Sequence, residues 1–194
     1  MILRQGKDMS ASEPTPSTPP PPGGASRWPG APELEDRLGE EIARTERYGT
    51  PLSVLLVSVE NLDEIAREHG GVLREQTLAY IAGALHSELR RFDRVAIPGE
   101  RELAILLPGA DGPHGEMVAR RVLDRLRAIK VEAAERREAL RISVGLASWR
   151  PESTAASMLQ RARLAAARSA NGEPAAIREP LEAPPPGGPP PASS

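Results

Sequence analysis

The sequence has no cysteine, so disulfide scaffolds and Cys-based metal or redox sites are excluded. It has no run of about 18 apolar residues, so no segment is long enough to span a bilayer as a helix. It has no strong charge of one sign: a net charge of -2 over 194 residues gives no general attraction to nucleic acid or to anionic lipid. Met1 to Ser10 lacks the apolar centre of a secretory leader, whether translation begins at Met1 or at Met9. Cytoplasmic residence, with no nucleic-acid partner and no membrane insertion, is the expectation. The three histidines, His69, His86 and His114, are scattered over separate predicted elements without partner acids at ligand spacing, which argues against a histidine metal site.

What the sequence has in excess is proline at its ends. Pro19 to Gly24 and Pro184 to Pro191 are almost entirely proline and glycine. Proline lacks an amide donor and glycine lacks a side chain to bury, so neither segment can build a core. Residues 1–30 and 174–194 therefore read as disordered tails. Residues 31–173, roughly 140 in number, are the size of one domain.

Within the domain the hydrophobic pattern alternates between helical and strand spacing. Leu34, Leu38 and Ile42 predict a helix from Glu33 to Tyr48, ended by Gly49-Thr50-Pro51. Leu52 to Val59 is nearly continuous in Leu and Val, the pattern of a strand buried on both faces. A short helix is expected from Asn61 to His69, a break at Gly70-Gly71, and a longer helix from Leu73 to Leu89. Strands from Arg94 to Ile97 and Leu103 to Leu107 should pair as a hairpin around Pro98–Glu102. An arginine-rich helix follows, marked by Val118, Val122 and Leu126. Leu140, Ile142, Val144 and Leu146 alternate, predicting a strand with one solvent-facing side. The last helix, capped by Ser153 or Thr154, buries Met158, Leu159, Ala162, Ala165 and Ala166. The predicted fold class is α+β: one mostly antiparallel sheet with helices on one or both faces.

Several segments carry a family resemblance in order. They are Trp28-Pro29-Gly30-Ala31-Pro32, the run from Ala43 to Ser53, Gly99-Glu100-Arg101-Glu102-Leu103 and Arg141-Ile142-Ser143-Val144-Gly145-Leu146-Ala147. Together they resemble the GGDEF family, the diguanylate cyclases of bacterial signalling, over about residues 28–172. The resemblance implies a palm-like cyclase fold. In that family two facing domains condense two GTP molecules to cyclic di-GMP. Divalent metal there sits on the first acid of Asp-x-Asp and on the third residue of Gly-Gly-Asp/Glu-Glu-Phe, where it neutralises triphosphate and activates the attacking hydroxyl.

By that alignment this sequence is a degenerate member. Ser58-Val59-Glu60 stands at Asp-x-Asp, so Ser58 replaces one metal acid, and Arg101 replaces the other. A hydroxyl is a weak Mg²⁺ ligand beside a carboxylate, and a guanidinium repels the ion. A unit charge pair at ~4 Å matters by ~1–4 kcal/mol even when screened. Glu100 stands at the second glycine, Asp63 at a phosphate-facing lysine, and Ala66 at a guanine-contacting asparagine. Glu75 conserves an acid that meets guanine, while the C-terminal phosphate-binding lysine falls near Ala170, close to Arg168. The expectation is no enzyme activity, no catalytic residue and no Mg²⁺ site.

One family motif is intact. Arg90-Arg91-Phe92-Asp93 stands where many cyclases carry Arg-x-x-Asp, an inhibitory site for cyclic di-GMP. Arg90 and Asp93 are candidate ligands, with Arg121 adding charge from the next helix: guanidinium suits phosphate or a base face, and carboxylate suits guanine's N–H groups. A solvated ion pair is the competing reading of the same residues. Two functions remain open, a cyclic di-GMP-binding signalling domain and a domain that works only through a protein partner. An active cyclase ranks third.

Overall fold

A computed structural model describes residues 28–69, 71–86, 88–133, 136–168 and 175–176. The two predicted tails fall almost wholly outside these residues. Helix α1 (Ala31–Tyr48) begins at Gly30, whose amide donates to the Glu33 carboxylate at 3.1 Å. It ends at Gly49, where a left-handed φ of 66° suits a residue without Cβ. There follow β1 (Leu52–Val59), α2 (Leu62–His69), α3 (Gly71–His86), β2 (Arg94–Gly99), β3 (Glu102–Pro108), α4 (Gly112–Arg127), β4 (Lys130–Ala133), β5 (Arg136–Ala139), β6 (Ile142–Ser148), α5 (Ala155–Arg168) and β7 (Ala175–Ala176).

The main sheet has the order β2-β3-β1-β6-β7, antiparallel except where the two-residue β7 runs parallel to β6. β1 lies at its centre, which is why its sequence is apolar on both faces: every residue is buried except the half-buried Ser58. Its odd-numbered side chains Leu55, Val57 and Val59 pack with α2, α3 and α4. Its even-numbered ones, Leu52, Val54 and Leu56, pack with α1 and α5. The domain is therefore three layers, helices on both faces of one sheet.

Three expectations are corrected, and one element is added. β6 does not have a solvent-facing side, since Ile142 to Ala147 are all buried. The second face escaped notice because it consists of Ser143, Gly145 and Ala147, small residues over which α5 packs. The hairpin is tighter than expected: β2 extends to Gly99, β3 starts at Glu102, and only Glu100 and Arg101 make the turn. Pro98 is tolerated because β2 is an edge strand. α3 starts at Gly71 and stops at His86, so Leu89 lies beyond it. The β4–β5 hairpin was not foreseen, because its charged sequence carries no apolar alternation.

Caps account for the remaining boundaries. Thr154, not Ser153, caps α5: its Oγ1 accepts from the Ser157 amide at 3.2 Å, and the Ser157 hydroxyl accepts from the Thr154 amide at 2.9 Å. Ser153 Oγ instead accepts from Arg150 N at 3.1 Å. α5 buries Met158, Leu159, Ala162, Ala165 and Ala166, as its spacing predicts. Asp111 caps α4, accepting from the His114 amide at 3.0 Å and meeting the His114 ring at 2.6 Å. These contacts, the backbone amide first, hold its carboxyl below the usual value of 3.8.

Two outcomes test this description. A Cβ at Gly145 would stand 2.0 Å from the Ala162 carbonyl oxygen and 2.4 Å from Ala166 N, whereas one at Gly83 on α3 would meet nothing within 4 Å. In urea unfolding, Gly145→Ala is expected to cost about 3 kcal/mol, while Gly83→Ala gains about 0.5–1 kcal/mol. Because the folded-state pKa of Asp111 is depressed, its contribution is present above 3.8 and is lost as pH falls through the lowered value. Asp111→Asn keeps an acceptor for the cap but removes this titration, so its Tm should fall less steeply than wild type below about pH 4. Equal slopes would mean that the cap's charge does not contribute.

Candidate functional site

The sequence places its chemistry at two turns, and the fold brings each against different helices. The first is the two-residue turn Glu100-Arg101. The β1–β3 register sets Ser58 opposite Glu102, and the Arg101 carbonyl accepts from the Val59 amide at 2.9 Å, which fixes the turn over the end of β1. The charged groups around it are interlocked. Arg74 on α3 reaches Glu100 at 2.7 Å and Asp63 on α2 at 2.9 Å. Arg101 reaches the other oxygen of Asp63 at 3.5 Å. Glu102 lies on the opposite flank, where Arg163 of α5 holds it with Nε and Nη2 both 3.1 Å from Oε2. Three helices thus clamp the turn by opposite charge.

Among Asp63, Arg74, Glu100 and Arg101, Arg74 is the least exposed. Its side chain is only 26% exposed, and among the described residues its buried Nε has no hydrogen-bond partner. Glu100, by contrast, is 80% exposed, so its pairing with Arg74 is largely screened. Below the turn, buried Asn61 donates to the Ala139 carbonyl at 3.0 Å and accepts from the Arg141 amide at 2.9 Å. Arg141 in turn places Nη2 2.8 Å from each oxygen of Glu64. The start of α2 is in this way tied to the β5–β6 connection.

Other residues aligned with the family's substrate contacts are dispersed. Ala66 is buried on α2, Glu75 is exposed on α3, and Arg168 is the exposed last residue of α5. Ala170 lies outside the described residues. Gly99 is half-buried beside the turn, and Leu103 is fully buried in the core.

The second turn is Arg90–Asp93, between α3 and β2. Asp93 is 4% exposed; its Oδ2 accepts from the Arg90 amide at 2.8 Å, and its own amide donates to the Arg90 carbonyl at 3.0 Å. Arg94 Nη1 closes the turn from outside, donating to the carbonyls of Arg91 at 2.7 Å and Asp93 at 3.1 Å. Arg90, Arg91 and Phe92 are exposed. Arg121 is exposed on α4, one helical turn before Arg125, which reaches Glu88 at 3.7 Å. Arg125 thus links α4 to the segment after α3, and Asp93 faces inward.

Arg74, Arg163 and Asn61 were not foreseen as parts of the site. Each acts across a tertiary contact on a partner 26 to 80 residues away, and none has a local motif that marks it.

The fold defines a class, an α+β domain with helices on both faces of a mostly antiparallel sheet. Among solved structures, the chain is similar to the diguanylate cyclase SiaD of Pseudomonas aeruginosa in complex with its activator SiaC, with 26% identity and a TM-score of 0.70 over 77% of this chain and 57% of that one. It also matches the GGDEF domain of DgcB from Caulobacter crescentus in complex with cyclic di-GMP, with 17% identity and a TM-score of 0.70 over 79% of this chain and 92% of that one. A curated relative, diguanylate cyclase DgcP of Pseudomonas aeruginosa, is 34% identical over 95 residues, 49% of this chain and 14% of that protein. The chain thus spans about a seventh of that relative's length. The family model described as "Diguanylate cyclase, GGDEF domain" matches residues 31–173. The chain belongs to the GGDEF family. Among the described residues no helix is long and apolar enough to cross a membrane.

The charge clamp makes an asymmetric prediction. Arg74→Met strands Glu100 and leaves a partly buried network short of a cation, and should lower urea stability by about 1–3 kcal/mol. Glu100→Gln should change it by less than about 0.5 kcal/mol. Equal effects would show that Arg74 acts only as a surface partner of Glu100.

Proposed function

We propose that this domain is a catalytically silent GGDEF module that binds cyclic di-GMP rather than making it. One observation carries the reading: the guanidinium of Arg101, at the signature position where the family has a metal-binding acid, pairs with Asp63 3.5 Å away beside Arg74. A divalent ion there would meet the Arg101 guanidinium, and the other aligned acid is replaced by Ser58, whose hydroxyl is a weak ligand. Glu102, the surviving acid of the signature, has its carboxylate engaged by Arg163. Hard divalent ions take carboxylate and carbonyl oxygens and are repelled by guanidinium. These side chains do not fit such an ion, and metal-dependent condensation of GTP is not assigned to them.

The binding arm of the proposal lies at the other turn. Arg90 is exposed on a turn held by backbone hydrogen bonds and by Asp93, and Arg121 is exposed on α4. Exposed guanidinium on a fixed backbone suits the phosphodiesters of a cyclic dinucleotide. The DgcB domain solved with cyclic di-GMP supports carrying this ligand over. A protein partner is the second reading, favoured by the SiaD–SiaC complex and by exposed Tyr48, Met117 and Leu164.

Incubation of the full chain with GTP and Mg²⁺ or Mn²⁺ should yield no cyclic di-GMP; its appearance overturns the silent-domain reading. Calorimetry with cyclic di-GMP should show binding that Arg90→Ala weakens by about tenfold or more. No heat at tens of micromolar ligand would discard the nucleotide and leave the protein partner.

A further inference from the structure

The sequence has one phenylalanine, and it is on the surface: Phe92 is 70% exposed. Hydrogen bonds between Arg90 and Asp93, and from Arg94 back to the carbonyls of Arg91 and Asp93, fix the backbone on both sides of it. Phe92 lines a groove of about 380 Å³ between α1 and the β2–β3 edge of the sheet. Leu106, Pro51 and Pro108 complete its apolar wall, and Arg37, Arg44 and Arg94 bring guanidinium groups to it. Tyr48, 67% exposed, stands one helical turn beyond Arg44 on the same face of α1. A polyproline II strand suits such a groove: its rings pack on aromatic and apolar side chains, and its carbonyls are left unpaired within the strand and only accept hydrogen bonds. The guanidiniums have donors for those carbonyls. Arg37 holds Glu40 loosely, at 4.0 Å, and Arg44 meets Glu41 at 3.4 Å through one nitrogen.

We propose that this groove is a polyproline II docking site and that its occupant is the proline run of the chain's own N-terminal segment, Pro19 to Pro22, which lies outside the described residues. The chain enters the domain at the same sheet edge, where the Pro29 carbonyl accepts from the Ile97 amide at 2.8 Å. From Ile97 back to Phe92 is at most about 17 Å at ~3.3 Å per residue. Residues 23–28 cover up to about 20 Å when extended, so Pro22 reaches the ring. Pro19–Pro22 is about 12 Å long as polyproline II, and Arg37 and Thr45, which both line the groove, are also about 12 Å apart along α1. The charges agree as well. Residues 14–26 carry none, and the arginines of the groove are nearly balanced by Glu40 and Glu41. The other proline run, Pro184 to Pro191, follows β7 at the far edge of the sheet, and α1 and α5 cover the face between.

The absence of cysteine makes a direct test available, since Ser17→Cys takes a single nitroxide label. In NMR spectra of the isotope-enriched full chain, the amides of Thr45, Thr50 and Arg94 should lose most of their signal relative to the reduced label. Ser58, at the opposite end of β1, should keep its own. Replacing Pro19 to Pro22 together by serine should restore the lost signals without touching the folded domain. Phe92→Ala should restore them too, and Phe92→Tyr, which keeps an aromatic wall, should not. Full signal at Thr45, Thr50 and Arg94 with the Ser17 label overturns the assignment. So does loss that persists in both the proline and the Phe92→Ala variants. Loss only when the label is on an unenriched chain mixed with an unlabelled enriched one would put a second copy's segment in the groove. Loss only from a Ser193→Cys label would put the C-terminal run there. Either result also overturns the assignment.

Discussion

The antiparallel ladder between β1 and β3 is the constraint on which the rest depends. Leu52 pairs with Pro108 and Ser58 with Glu102, without interruption between them. Side chains alternate along a strand, so a slip of one residue would turn every apolar position of β1 to the wrong layer. Both layers use β1, whose side chains alternate into the two clusters alongside those of β3 and β6. The same register carries the Glu100-Arg101 turn to the end of β1, where the Arg101 carbonyl meets the Val59 amide. Core packing and site geometry are thus set by one ladder.

Around that turn the physics is electrostatic. Asp63, Arg74, Glu100 and Arg101 form a chain of alternating charge, and Glu102 with Arg163 forms a separate pair on the other flank. Exposed pairs of this kind contribute little one at a time. Their effect here is on geometry: cations and anions from the turn, α2, α3 and α5 pair with one another across tertiary contacts. The Arg90–Asp93 turn follows the opposite logic. Its acid is buried and spent on the backbone, while its arginines and Phe92 face solvent. One turn is closed on itself and the other offers groups outward, which is why binding is proposed at the second.

The fold was legible where the sequence is periodic. Leu52–Val59 appears as the expected strand, and the buried positions of α5 are those its spacing marks. Legibility failed where a face is made of small residues or of charge. Gly145 and its neighbours look like the polar side of a half-exposed strand, yet α5 approaches so closely that only glycine fits. The β4–β5 hairpin has no apolar alternation to announce it. At the site, the residues at the signature turn and the Arg-x-x-Asp motif were readable in line. Arg74 and Arg163 were not, because long side chains find their partners only after distant elements have packed.

The sequence by itself determined the layered α+β domain, the central strand, the family, and which residue types stand at the turns, since these follow from local periodicity and from motif order. Only the tertiary structure decided that Asp93 faces inward while Phe92 faces out, and that Arg101 and Glu100 are tied to α2 and α3. It also decided that a groove opens between α1 and the turn before β2. The physical reason is that burial and charge pairing are properties of surfaces brought together from distant parts of the chain. No stretch of sequence contains both sides of such a surface.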